Sequence, residues 1–495
     1  MYTQDGKLYI AHSDQPLCMI GKMANRHGLI AGATGTGKTV SLQVIAESFS
    51  QAGVPCFMAD MKGDLSGVSQ PGKLTPFIEK RIAEFGMQTP AFSGCPTRFF
   101  DVFGKQGHPL RTTISEMGPT LLSRILDLNE TQTGIMNIIF KIADERQLLL
   151  IDMKDLRLML DFVGKNAKMF TTEFGNISPQ SIGAIQRALL GLENQGGDEF
   201  FGEPAFNIND LLQQENGRGV VNVLAADELM QNPRLYSTFL LWLLSELYTQ
   251  LPEVGDQPLP KLVFFFDEAH TLFKDTPKAF VDKVEQVVRL IRSKGVGVYF
   301  ITQIPADIPD SVLGQLGNRV QHALRAFTPK DQKAVRATAD AFRANPKFDT
   351  EEAILQLATG EALVSFLDEK GAPNMVEKAK ILFPLSQIGA ITPDQRSQII
   401  RSSRLYGTYD TRIDRRSAYE VLQDQEAEEK KKAEEEKAKA EEQKEQEKEE
   451  KASRKGSSGP KSTFEKIIGA AATSFSRQIA SSIARSILGS IIRKK

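Results

Sequence analysis

Gly32-Ala33-Thr34-Gly35-Thr36-Gly37-Lys38-Thr39 is the stretch on which the reading of this 495-residue chain turns. It satisfies G-x-x-x-x-G-K-[ST], and its surroundings suit that pattern. His27-Gly28-Leu29-Ile30 reads as the end of a strand, and Val40 to Ala46 reads as an amphipathic helix. Glycines at these positions let the backbone wrap a phosphate chain with its N–H groups turned inward, and the helix N-terminus adds partial positive charge. Gly32, Ala33, Thr34, Gly35, Thr36, Gly37, Lys38 and Thr39 are therefore expected to bind a nucleoside triphosphate. Lys38 would reach the β/γ-phosphates and Thr39 would hold Mg²⁺.

Outward from this loop, apolar strand-like runs alternate with helical segments as far as about Phe383, the pattern of an α/β sheet covered on both faces. Candidate strands are Gly28 to Ala31, Pro55 to Asp60, Gly219 to Leu224, Lys261 to Asp267, Gly297 to Thr302, Arg319 to Leu324 and Glu361 to Phe366. Between the second and third lies Thr112 to Leu212, where Leu121, Leu122, Ile125 and Leu128, then Ile135, Ile138, Ile139 and Ile142, recur at helical spacing. This reads as a helical insertion whose simplest role is to extend the core.

Binding a phosphate chain is not yet hydrolysis, which needs an acidic strand end as well. Leu262-Val263-Phe264-Phe265-Phe266-Asp267-Glu268 supplies one, with an apolar strand delivering two carboxylates at its tip. Asp267 is expected in the Mg²⁺ shell, and Glu268 as the base that polarises the attacking water. A further buried strand ends in Thr302-Gln303, which places Gln303 to sense the γ-phosphate or that water. Asp267 to His270 spells DEAH, yet the foldable sequence after Thr302 is too short for the second lobe that helicases of that name carry. His270 reads as a local contact. One lobe per chain implies a site finished by a neighbouring subunit, with an arginine reaching across. Arg289, Arg292 and Lys294 close the helix before the Gln303 strand, and Arg319 and Arg325 flank the next.

Composition bounds the rest. Lys+Arg 61 against Asp+Glu 62 leaves a net charge of -1, so any basic binding surface has to be local. Cys18, Cys56 and Cys95 are odd in number and lack C-x-x-C spacing, which suits a reducing compartment. No basic-then-apolar leader opens the chain, and no run approaches the ~18 apolar residues of a membrane span. A cytoplasmic protein is expected. From Asp424 to Lys451 nearly every residue is Glu, Lys, Gln or Ala, a solvated single helix without a coiled-coil seam. Gly456 to Pro460 breaks it. Phe464, Ile468, Phe475, Ile479, Ile483, Ile487 and Ile491 then recur mostly at four among small and basic residues, an amphipathic helix suited to self-association, a protein partner or an anionic membrane surface.

With these residues in place the chain resembles the HerA/FtsK superfamily of RecA-like ATPases, and within it the bacterial HerA-like, YjgR-like group. Ala31 to Thr39, Asp60 to Gly67, Phe266 to His270 and Ile301 to Gln303 carry the likeness. Gly118 to Arg124, Gly183 to Leu189 and Phe201 to Pro204 are similar to that group in particular, and the likeness spans roughly residues 5 to 415. It implies a RecA-like P-loop NTPase sheet over residues 1–416 with the helical insertion at about 112–212. A charged linker over 417–460 and a basic amphipathic helix over 461–495 would follow. It also implies a homohexameric ring that hydrolyses ATP with Mg²⁺ and translocates duplex DNA, with the trans arginine at Arg289 or Arg292. HerA proteins proper carry an N-terminal β-barrel and FtsK-like motors a DNA-reading winged helix, and neither has a counterpart here. The alternative is an ATP-driven assembly or switch factor acting on protein or membrane partners.

Overall fold

The structure, a computed structural model, describes residues 6–255, 257–273 and 278–454. The chain divides into two units, Met1–Gln423 and Asp424–Lys495. In the first, β1 (Lys7–His12) and β2 (Pro16–Ile20) precede β3 (Gly28–Ala31) and α1 (Lys38–Gln51), after which come β4 (Cys56–Asp60), α2 (Pro76–Glu84), β5 (Thr97–Asp101) and β6 (His108–Pro109). Six helices follow without an intervening strand: α3 (Ile114–Ile125), α4 (Glu130–Glu145), α5 (Met153–Lys165), α6 (Ala167–Phe174), α7 (Pro179–Glu193) and α8 (Gly197–Phe200). A small ladder, β7 (Gln214–Glu215) with β8 (Arg218–Gly219), leads into β9 (Val221–Ala225), α9 (Pro233–Gln250), β10 (Leu262–Phe266), α10 (Lys278–Ile291) and β11 (Val296–Thr302). Then come α11 (Asp310–Leu313), β12 (Asn318–Gln321), α12 (Pro329–Asp340), α13 (Thr350–Gln356), β13 (Glu361–Ser365), β14 (Glu377–Ile381), α14 (Pro393–Ser402) and α15 (Ala418–Arg454).

Twelve strands form one sheet in the order β2-β1-β14-β13-β12-β3-β11-β10-β4-β9-β5-β6. The run from β12 to β6 is parallel, whereas β13, β14, β1 and β2 extend it antiparallel. The fold is therefore mixed α/β with a largely parallel sheet. All seven strands expected from apolar runs lie in it, within a few residues of their expected bounds. The period-2 placement of side chains explains why those runs are apolar throughout. On β10, Leu262, Phe264 and Phe266 join the core on one face and Val263 and Phe265 the core on the other, so every position is buried.

The helices α3 to α8 share the first of those cores with the sheet: Ile139, Leu156, Ile185 and Leu192 belong to the same cluster as Phe57, Phe264 and Phe300. Their starts are set by local chemistry, since Thr113, Asn129 and Asp152 each close a capping box. On the second face α1 departs from the amphipathic helix expected, because Ser41 to Ser50 are buried on every side. The segment after β14 covers the face that solvent would have wetted: the Glu47 carboxylate accepts from Leu385 N (2.8 Å) and Ser386 N (3.0 Å), and Gln43 Nε2 donates to Gln387 O (2.8 Å).

The second unit is described only along the later part of α15, where residues 427–448 are exposed and i,i+4 pairs such as Lys430–Glu426 (3.2 Å) and Lys432–Glu428 (2.7 Å) run along the helix. The basic amphipathic helix expected over 461–495 and the Gly456–Pro460 break lie outside the described residues. Among the described residues no helix is long and apolar enough to cross a membrane.

Candidate active site

The sheet order brings together residues far apart in sequence. β3 ends in the phosphate-loop segment, its neighbour β11 ends before Gln303, the next strand β10 ends before Asp267 and Glu268, and β4 beyond it ends in Asp60. Parallel strands point the same way, so all four deliver their terminal residues to one edge.

The loop closes back on itself. Thr36 Oγ1 donates to Ala33 O (2.7 Å), Gly32 N donates to Thr302 O (3.2 Å), and Ala33 N donates to Ala323 O (2.8 Å). Two glycines are required by space and by backbone angle. Gly32 (φ 150°) could carry a Cβ only 2.5 Å from that of His322, and Gly37 (φ 115°) packs on Gly360. Behind the loop, the buried His322 bridges Ser41 Oγ (2.8 Å) and Glu361 O (2.9 Å), and burial pushes its pKa down to about 4, so it stays neutral. Lys38, the first residue of α1, donates to Gly32 O (2.7 Å) and Ala33 O (3.2 Å). Burial lowers its pKa, while Glu268 and Asp267 pull the other way. Thr39 follows it, part-buried at the helix start.

Across the edge, Asp267 is 9% exposed and its Oδ1 accepts from Glu268 N (2.9 Å). Burial, reinforced by the Glu268 charge, raises its pKa to about 6. Glu268 stands in the left-handed region (φ 46°), unusual for a non-glycine and a local strain held at the strand tip. Its Oε1 pairs with Lys62 Nζ at 2.8 Å, and its Oε2 accepts from Gln303 Nε2 at 3.4 Å and faces His270 Nδ1 at 3.5 Å. Burial pushes this carboxyl up, but the Lys62 ammonium, with the Gln303 amide and His270, outweighs it and the net pKa is lowered. Glu268 is thus ionised and tied to the residue expected as sensor.

Asp60, Lys62 and His322 were not singled out as functional from sequence. Asp60 ends an apolar strand just as Asp267 does, which was the available signal. It is 2% exposed, its Oδ1 has no hydrogen-bond partner, and burial raises its pKa to about 6. Nothing local marks Lys62 as the partner of a carboxylate 206 positions away.

Arg289 and Arg292 lie elsewhere. They close α10 and the turn before β11, beside His27 at the start of β3, and so occupy the opposite edge of the sheet from the phosphate loop of the same chain. Arg289 is exposed and Arg292 part-buried.

The donor set fits Mg²⁺. A hydroxyl and a carboxylate are hard oxygen ligands, and Mg²⁺ takes one or two carboxylates with substrate phosphates and water instead of an all-protein cage. Among the described residues no group of three or more His, Cys, Asp or Glu is placed to hold a metal ion by itself. Thr39 and Asp267 are the residues that would hold it.

Over 99 residues the chain is 31% identical to the DNA double-strand break repair helicase HerA of Sulfolobus acidocaldarius and 32% identical to that of Sulfurisphaera tokodaii, matches that span 20% of this chain and 19% of each relative. Among solved structures, the bacterial conjugative coupling protein TrwBdeltaN70 superposes with a TM-score of 0.52 at 15% identity, covering 78% of this chain and 91% of that one. TrwB in complex with a non-hydrolysable GTP analogue gives 0.50 at 16% identity, covering 76% and 89%. At such identities the likeness establishes the fold. Residues 6–495 match the family described as Helicase HerA-like C-terminal, and the chain belongs to that family, among the HerA/FtsK-type P-loop ATPases.

Proposed function

We propose that this chain binds and hydrolyses ATP with Mg²⁺ and acts as one subunit of a ring-forming motor, a HerA-like DNA translocase or helicase working on duplex DNA in the cytoplasm. The observation that carries the reading is the Glu268 carboxylate, ionised, 8% exposed and tied to Gln303, on the same sheet edge as Lys38 and Thr39. Glu268 takes the proton of the water that attacks the γ-phosphate, and Gln303 orients that water. Lys38 and the loop N–H groups hold the phosphates, and Thr39 and Asp267 would hold Mg²⁺, which would neutralise charge at the transferring group. Cys18, Cys56 and Cys95 are not joined in disulfides, as a reducing compartment would keep them. With one lobe per chain, Arg289 or Arg292 of a neighbouring copy is the residue assigned to complete the site across the subunit boundary.

The test is ATP turnover of wild type and Glu268→Gln, with and without duplex DNA, on protein whose mass is measured in the same buffer. The expected result is an oligomer whose turnover rises with DNA and falls roughly 10³-fold in the variant. A monomer whose turnover ignores DNA would favour the assembly or switch factor instead, and retained turnover in Glu268→Gln would remove the assignment of the base.

A further inference from the structure

A cleft of about 540 Å³ opens directly beside the phosphate loop. Gly37 and Val40, on either side of Lys38-Thr39, form its inner end, and Phe77, Phe383, Pro384 and Ile388 its apolar walls. Phe77 is 53% exposed and Ile388 55% exposed, so large apolar surface faces solvent beside the loop. Such surface is costly unless a ligand covers it.

Phe77 is not a loose side chain. The Arg81 guanidinium lies 5.1 Å from its ring centroid, Arg81 Nη2 donates to Gly360 O (3.2 Å), and Gly360 N donates to Thr36 O (3.0 Å). A short chain of contacts thus fixes the aromatic wall relative to the phosphate loop. Of the polar side chains that line the cleft, Lys73 is an exposed ammonium on a long stem, whereas Thr75, Thr359, Ser386 and Gln387 are engaged with the fold. Thr75 Oγ1 accepts from Ile78 N, the Ser386 hydroxyl bonds to the Glu47 carboxylate, and Gln387 Nε2 donates to Ala390 O.

We propose that this cleft seats the nucleobase of the nucleotide whose phosphates the loop takes, with Phe77 as the stacking wall, and that it grips the faces of a purine without reading its edges. The inference rests on the nucleotide-binding reading above and adds to it a specificity: adenine and guanine nucleotides bind about equally. Every base offers a π-face, whereas discrimination between purines needs fixed donors and acceptors at the ring edge.

Titration calorimetry of the full chain with MgATP, MgGTP and magnesium tripolyphosphate tests it, on wild type, Phe77→Ala, Phe77→Tyr and Ile388→Ser. Wild type is expected to bind both nucleotides within about threefold of each other and at least tenfold more tightly than tripolyphosphate. Phe77→Ala should weaken both nucleotides by about tenfold and leave tripolyphosphate unchanged, Phe77→Tyr should restore them, and Ile388→Ser should weaken them less. Phe77 and Ile388 are both half-exposed, so neither change threatens folding. Nucleotide affinity unaltered in both Phe77→Ala and Ile388→Ser overturns the cleft, and a hundredfold preference for one purine overturns the edge-blind grip. Failure of all three ligands to bind wild type overturns the nucleotide reading itself, and this inference with it.

Discussion

β3 is only four residues long, yet the polar groups at its two ends are treated in opposite ways. At its start, His27 is 2% exposed and spends both ring nitrogens: Nδ1 accepts from Val298 N (3.0 Å), which leaves Nε2 to donate to Val288 O (2.8 Å). Burial lowers its pKa to about 4, so a neutral ring closes that edge. At its finish the edge gathers carboxylates that burial disfavours, Asp60 and Asp267 at about 6, with one Asp60 oxygen left without a partner. Saturated, neutral bonding stabilises a fold. Buried charge with unspent bonding capacity costs stability, and persists where a ligand or a reaction uses it.

The largest effect would come from crossing between the two edges. If the opening edge of one copy serves the closing edge of another, Arg289→Ala/Arg292→Ala should lower turnover about 10³-fold without altering nucleotide affinity. Mixing that protein with Glu268→Gln protein should then restore part of the activity, because some mixed interfaces pair an intact base with intact arginines. Mixtures as inactive as their components would confine both arginines to their own chain.

His27→Ala probes the opening edge alone. It leaves Val288 O and Val298 N unpaired in the core, and should cost roughly 3 kcal/mol in denaturant unfolding while turnover per folded molecule stays at the wild-type value. An equal fall in both would mean that the two edges are not separable.

The smallest effect is a slope. His27 binds its proton near pH 4 folded and near 6.5 unfolded, so the unfolded chain holds more protons between these values and stability falls as pH falls. His322 acts with the same sign. Asp60 acts with the opposite sign, since its folded pKa of about 6 lies above the ordinary 3.8 and the folded chain holds the extra proton. Asp60→Asn removes that offset. Its unfolding free energy should therefore drop more steeply than that of wild type between pH 6 and 4, by up to about 1.4 kcal/mol per pH unit.

How much of this was legible depended on how local it was. Gly32 to Thr39 and Asp267-Glu268 are read within a few residues, because a loop that wraps phosphate and a strand that ends in acid are local objects. The helical run from Thr112 was legible for the same reason, as spacing and capping boxes are local. Lys62 beside Glu268 depends on β4 lying next to β10, and no spacing encodes strand order. The antiparallel strands β1 and β14 carry polar and apolar residues in mixture, so an apolar-run criterion passes over them. The burial of α1 on all sides arises from a segment more than three hundred residues later, which turned an apparent surface helix into a core one.

The ends of the sheet bear on how copies of this chain can associate. One outermost strand, β2, begins with Pro16, and the other, β6, is only two residues long and ends in Pro109. Proline offers no N–H and a two-residue strand offers almost no ladder, so β6 is a poor template for another chain's strand. Oligomers of this protein that grew by extending the sheet there would have little to hold them. Subunits meeting instead through helices and loops can slide or rotate against one another without breaking a β-ladder, a freedom that a continuous sheet running through the assembly would deny.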